Sequence, residues 1–126
     1  MRKLLVLLSF VVFTGSSGAY TREELLLATV LVESSFGKQT YGDDGRSLGP
    51  LQVGRAAWQD SGVEAPYSPY DMDLCIQVWV AYCTRYAGAH GSNEAWARVW
   101  NGGPRGQEKS ATDVYWLKIL SSMKGE

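Results

Sequence analysis

The sequence predicts a mainly α, α+β single domain, about five helices around a central helix with one small β-ribbon. Three observations carry this. Apolar residues recur at helical spacing in several stretches with start and stop signals at their ends. One glycine-rich stretch lacks that spacing and carries turn chemistry. The chain has 126 residues, 45% of them hydrophobic, enough for one core. Repeats and low-complexity segments are absent from the sequence.

Residues 1–19 stand apart from that domain. Arg2 and Lys3 give a positive start, residues 4–13 are apolar except for Ser9, and the small residues Ser17 and Ala19 follow. This is the pattern of a signal peptide cleaved after Ala19, which makes the protein an exported one with its domain over residues 20–126. Retention as a membrane tether is the competing possibility. The apolar run falls short of the ~20 residues that a spanning helix needs, so membrane association is expected to be transient.

Thr21-Arg22-Glu23-Glu24 is a capping box and starts the first helix, expected over residues 25–36. Leu25, Leu26, Leu27, Ala28, Val30, Leu31 and Val32 make it apolar nearly all round, as a central helix would be. Glu33 stands at its C-terminal end, where burial and the negative helix terminus both raise a carboxyl pKa. Residues 37–50 contain Gly37, Gly42, Gly45, Gly49 and Pro50. The Asp-Gly step within residues 41–47 predicts a hairpin-like turn in a ribbon of two or three short strands. Asp43 and Asp44 are ordinary turn formers as much as functional acids.

A short helix is expected over residues 55–60, ended by Gly62. Ser68-Pro69-Tyr70-Asp71 opens a longer one reaching about residue 86, with proline at its first position and an acid to cap it. Its core stripe is Met72, Cys75, Ile76, Trp79, Cys83 and Tyr86. Ser92 caps a helix over residues 94–100 that stops at Asn101-Gly102-Gly103-Pro104, with Asn101 able to take the left-handed cap conformation. The last helix covers residues 112–123, with Trp116, Ile119, Leu120 and Met123 on one side.

Charge and cysteine usage exclude several classes. The net charge is −1, and residues 20–126 carry ten basic against thirteen acidic side chains, a net −3. With no basic patch, nucleic acid is not a partner, and contact with an anionic wall rests on local groups. Cys75 and Cys83 lie ~12 Å apart along one predicted helix, beyond disulfide reach, and read as small buried hydrophobes. His90 stands alone, so no metal site and no cofactor are expected.

The chemistry centres on Glu33 and the turn that follows. A glutamate at a buried helix end and an aspartate in a polar turn, Asp43 or Asp44, place two carboxyls in different environments across a cleft. Glycoside hydrolysis requires that combination. Gln52, Ser47 and the segment Trp100-Asn101-Gly102 are the candidate sugar contacts. Trp100 either stacks on a pyranose face or is a buried helix-end aromatic.

Glu33-Ser34, the run Asp44-Gly45-Arg46-Ser47-Leu48-Gly49-Pro50-Leu51-Gln52-Val53, and Ala97-Arg98-Val99-Trp100-Asn101-Gly102-Gly103-Pro104-Arg105-Gly106 followed by Tyr115-Trp116-Leu117-Lys118 resemble the invertebrate-type lysozymes (the destabilase family) and their bacterial and phage relatives. The resemblance spans nearly all of residues 25–120, and the Asn-Gly-Gly-Pro segment with the downstream Tyr-Trp is its most specific part. It implies a muramidase acting on peptidoglycan glycan strands at the β-1,4 bond between N-acetylmuramic acid and N-acetylglucosamine. Glu33 would be the general acid and Asp44 the nucleophile or stabiliser, Asp44 being preferred over Asp43 because Ser47 follows it by three residues. The chain departs from the pattern in having no disulfides to offer and in carrying Trp100 where the family has a histidine, which leaves an isopeptidase activity without its base. A lytic transglycosylase using Glu33 alone and an inactive wall-binding module compete with the muramidase for the same residues.

Mass spectrometry of the exported protein should find Tyr20 at its N-terminus; a mature chain beginning at Met1 would reject cleavage.

Overall fold

The computed structural model describes residues 19–126, so nearly all of the expected export segment lies outside the described residues. The helices are α1 (Arg22–Ser34), α2 (Arg55–Ser61), α3 (Met72–Ala87), α4 (Asn93–Gly102) and α5 (Asp113–Met123). A two-stranded antiparallel ribbon joins β1 (Tyr41–Gly42) to β2 (Ser47–Leu48), pairing Tyr41 with Leu48 and Gly42 with Ser47. Single 3-10 turns occupy Asp43–Gly45, Gly106–Glu108 and Ser110–Thr112. The architecture is the mainly α domain with a minimal ribbon that the sequence predicts. Among the described residues no helix is long and apolar enough to cross a membrane.

Local chemistry explains the starts of the helices. The capping box at α1 is complete: the Thr21 hydroxyl accepts from the Glu24 amide, and the Glu24 carboxylate accepts from the Thr21 amide at 2.8 Å. Ser92 and Asp71 cap α4 and α3 through the Ala95 and Leu74 amides. For α3 this corrects the expected start. Asp71 is the cap, and Pro69 lies before the helix rather than at its first position.

The core is built on α4, against which α1, α3 and α5 all pack, while α1 also runs along α5. Leu25, Leu26, Leu51, Val53, Val78, Trp79, Val99 and Ile119 are wholly enclosed. Trp79 of α3 meets Trp96 of α4 edge-on at 5.1 Å. The Arg22 guanidinium stacks on the other side of that cluster, 3.8 Å from the Trp96 ring centroid, and donates to Asn93 Oδ1 and the Gly91 carbonyl. The central position therefore belongs to α4. The more uniformly apolar α1 leaves Leu31 38% exposed. It also stops at Ser34, two residues before the expected end, because Ser35 and Phe36 take left-handed conformations (φ 53° and 58°). Cys75 and Cys83 are free and buried, and burial pushes the Cys75 thiol up to about 12 and Cys83 higher still, which makes both inert packing groups.

The Asn-Gly-Gly-Pro-Arg-Gly segment is a packing device. A Cβ on Gly106 would lie 2.0 Å from the Arg98 carbonyl oxygen, and one on Gly102 would lie 2.5 Å from Thr112 Cγ2. Only glycine lets the chain after α4 fold back onto the helix this tightly. The buried Thr112 hydroxyl secures the fold-back, lying 3.0 Å from the Gly106 carbonyl and 2.8 Å from that of Lys109 while accepting from Arg98 Nη1. Gly103, with φ 90°, ends α4, and Asn101 lies inside the helix, which corrects the expected cap.

Gly106→Ala should lower stability by ~2 kcal/mol or more through overpacking against backbone, read as a reduced urea midpoint; an unchanged midpoint would show that the close approach carries no energetic weight.

Candidate active site

Glu33 is the penultimate residue of α1, and the next residue fixes how the chain leaves. The Ser34 hydroxyl donates to the Val30 carbonyl at 3.1 Å and accepts from the Gly37 amide at 2.9 Å, while the Ser35 amide reaches the Leu31 carbonyl. Ser34 is buried and its hydroxyl is committed to this exit, so the Glu-Ser pair does not present a free serine nucleophile.

The Glu33 side chain is mostly enclosed. Its Oε2 accepts a hydrogen bond from the Tyr115 hydroxyl of α5 at 2.7 Å, and no other hydrogen bond is made to its carboxyl among the described residues. Burial raises the Glu33 pKa to about 7. The Tyr115 hydrogen bond opposes the rise, and the negative charge of Asp43 adds to it. Tyr115 is itself buried, and burial together with Glu33 holds its phenol protonated well above the ordinary value.

The ribbon supplies the second acid. Asp43 and Asp44 both take left-handed conformations (φ 50° and 56°) and Gly45 follows at φ 88°. Aspartate is among the few side chains that tolerate this region, at a cost of ~1–2 kcal/mol each. The turn is tied from within. Ser47 Oγ donates to Asp43 Oδ2 at 2.7 Å, and the Arg46 amide and Nε both donate to the Asp43 carbonyl at 3.1 and 3.0 Å.

These contacts distinguish Asp43 from Asp44, the aspartate preferred from the sequence. Ser47 pairs with Asp43, four residues before it, and Asp43 is the aspartate whose charge reaches Glu33. The register explains the difference. Gly42 faces Ser47 across the ribbon, so the residue following Gly42 lies beside Ser47, and Asp44 sits further round the turn; both aspartates are exposed.

Gln52 backs the ribbon. Its Nε2 donates to the Gly49 carbonyl at 2.9 Å, and its Oε1 occupies the space a Cβ on Gly42 would take, 2.2 Å away. Gly49, with φ 83°, lies so close to the Pro69 carbonyl that a Cβ would fall 1.7 Å from it. The ribbon is thereby pinned to the loop ahead of α3.

The structure thus brings Glu33, Asp43, Ser47 and Gln52 into one region. It gives the remaining candidate sugar contacts separate partners. Trp100 is half-buried, edge-on to Tyr82 of α3 at 5.7 Å. The Gly102 carbonyl accepts from Lys109 Nζ at 2.7 Å, and Asn101 is exposed at the end of α4. Among the described residues no hydrogen bond or ring contact links this segment to Glu33 or the ribbon. Tyr115 is the site residue that local sequence pattern does not assign. Its spacing of four from the buried Ile119 puts it on the core face of α5, and a buried tyrosine needs a partner for its hydroxyl.

The five helices and the short antiparallel ribbon make a mainly α, lysozyme-like fold. No protein-family model matches the chain. It is 35% identical over 81 residues to Lysozyme 1 of Crassostrea virginica, a match covering 58% of this chain and 43% of that one. It is 34% identical over 79 residues to Lysozyme of Meretrix lusoria, covering 58% and 65%. The chain therefore spans less than two thirds of the length of either relative. In fold it is similar to a chain of the crystal structure of Aeromonas hydrophila PliI in complex with Meretrix lusoria lysozyme, with a TM-score of 0.71, 27% identity, and coverage of 83% of this chain and 93% of that one. In sequence the chain is thus similar to two bivalve lysozymes, and in fold to a chain of a lysozyme–PliI complex.

The raised Glu33 pKa links stability to pH. The folded state holds a proton that the unfolded state releases near the ordinary 4.5, so the contribution of neutral Glu33 is fully present below about 4.5 and is lost as pH rises through about 7. Glu33→Gln should unfold at a higher urea concentration than the wild type at pH 8, by up to ~3 kcal/mol, and the gap should shrink towards pH 4; a gap independent of pH would contradict the burial account.

Proposed function

We propose that the chain is a muramidase that hydrolyses the β-1,4 bond between N-acetylmuramic acid and N-acetylglucosamine in peptidoglycan. The observation that carries this reading is Glu33, enclosed at the end of α1 with its pKa raised by burial to about 7 and standing within the field of Asp43. The relatives named lysozyme support the same class of reaction.

Glu33 delivers its proton to the glycosidic oxygen as the bond from that oxygen to the anomeric carbon breaks. The departing sugar leaves as an alcohol, and positive charge develops on the ring left behind. Asp43, exposed in its turn, stabilises that charge or attacks the anomeric carbon. The Glu33 carboxylate then takes a proton from the incoming water, which restores the acid. This division of labour between two carboxyls in unlike surroundings is the known lysozyme pattern. Asp43 takes the role that the sequence alone gave to Asp44. Ser47 and Gln52 act by holding Asp43 and the ribbon in place. Action on a cell wall requires export, which the N-terminal segment would provide.

Digestion of purified peptidoglycan, with products read by mass, tests the proposal. The wild type should create new reducing N-acetylmuramic ends. Glu33→Gln should remove at least about 10²-fold of the activity while leaving the fold intact. Asp43→Asn should cost a similar factor, and Asp44→Asn should stay within about threefold of the wild type. Anhydro-muramic ends would replace the hydrolase with a transglycosylase, and loss of activity in Asp44→Asn but not in Asp43→Asn would reverse the assignment of the second acid.

A further inference from the structure

Tyr115 enters the site from α5, 82 residues along the chain from Glu33, and spends its single hydroxyl hydrogen on one carboxyl oxygen, Oε2. Glu33 Oε1 makes no hydrogen bond among the described residues and is not one of the buried, unpartnered oxygens. The two oxygens of the acid are therefore unlike: one is held by α5, and the other is open.

We infer, on the muramidase reading above, that Tyr115 is a positioning residue for the reaction, fixing Oε1 of Glu33 as the oxygen that carries and delivers the proton and holding the carboxylate left behind through Oε2. A hydroxyl donating to Oε2 disfavours a proton on that same oxygen, so the acid proton resides on Oε1. When Oε1 gives its proton to the glycosidic oxygen, the pair of electrons from the broken O–H bond remains on Glu33. The Tyr115 bond then becomes a bond to a carboxylate, shorter and stronger than one to a neutral acid. An interaction that strengthens as charge develops lowers the barrier without tightening substrate binding.

The charged and titratable surroundings are few. Asp43 faces Glu33 from the ribbon and Tyr115 from α5, and Cys83 of α3 stands behind Tyr115. On α4, Arg98 is engaged with Glu94 and Asp113. On α5, Lys118 lines the groove beside Leu31 and Val32. Of the groups that act on Glu33, Tyr115 is the one that favours its ionised form. Tyr115 therefore also limits how far burial can raise the acid.

The test is Tyr115→Phe, which keeps the ring and removes the bond. Its thermal unfolding should be compared with that of the wild type, and Glu33 titrated in both by 13C NMR of the side-chain carboxyl. The variant should titrate about one pH unit higher than the wild type, and the pH–rate profile should move in the same direction. On peptidoglycan, kcat should fall about tenfold at its optimum while KM stays within about twofold. An unmoved Glu33 titration, or a loss of rate with the pH profile in place, would overturn the inference. The wild type offers an independent check should the variant fail to fold: the Tyr115 Cζ resonance must follow the titration of Glu33, and a resonance indifferent to pH through that range would overturn the inference too. A shifted Glu33 titration in a protein that releases no glycan products would sink the muramidase reading while supporting the Tyr115–Glu33 linkage.

Discussion

The enclosure of one carboxyl group organises this molecule. Glu33 stands at the end of a helix whose neighbours exclude water from most of its side chain, and that exclusion is what raises its pKa to about 7. Everything that holds the end of α1 in place serves the same purpose. The Ser34 hydroxyl fixes the exit of the chain, and α5 packs along α1 and presents Tyr115. The fold-back after α4 brings the chain round to the start of α5. A buried acid is a cost to folding at neutral pH, and the aromatic cluster of Trp79 and Trp96 with the Arg22 clamp belongs to the core that offsets it. The domain does this without a disulfide, its two cysteines being free and enclosed.

The second acid is set by backbone conformation rather than burial. Two successive aspartates in the left-handed region make a turn that most sequences would not adopt, and the Ser47 and Arg46 contacts to Asp43 hold it. Below it, Gln52 fills the space that Gly42 leaves open, and Gly49 presses against the loop before α3. Contrasting environments follow from this. One carboxyl is lifted towards neutrality by exclusion of water, and the other lies exposed in a polar turn.

Much of this is legible in the sequence. The capping box at Thr21, the serine cap at Ser92 and the stop at Gly62 rest on local chemistry, and tertiary packing leaves them in place. Glu33 is legible because an acid at the end of so apolar a run has little choice of surroundings. The choice between Asp43 and Asp44 is not, since it depends on strand register, and a shift of one residue moves every side chain to the other face. Centrality is hidden for a related reason. Composition makes α1 the most apolar helix, yet position in the core depends on which elements pack together, and α4 has the most partners. Gly102 and Gly106 read as loop residues because the close backbone approach that requires them has no local signature. Tyr115 is visible as a core-facing aromatic, but its bond to Glu33 spans 82 residues, beyond the reach of any local pattern.

The central claim is that Glu33 is a neutral acid at the pH where ordinary glutamates are ionised. Infrared difference spectroscopy across a pH jump from 6 to 8, with Glu33→Gln as the reference, measures that state directly. The account predicts a carbonyl band of a protonated carboxylic acid at pH 6 that gives way to carboxylate as pH passes about 7 and that is missing from the variant. A Glu33 already fully ionised at pH 6, with no such band in the wild type, would contradict it.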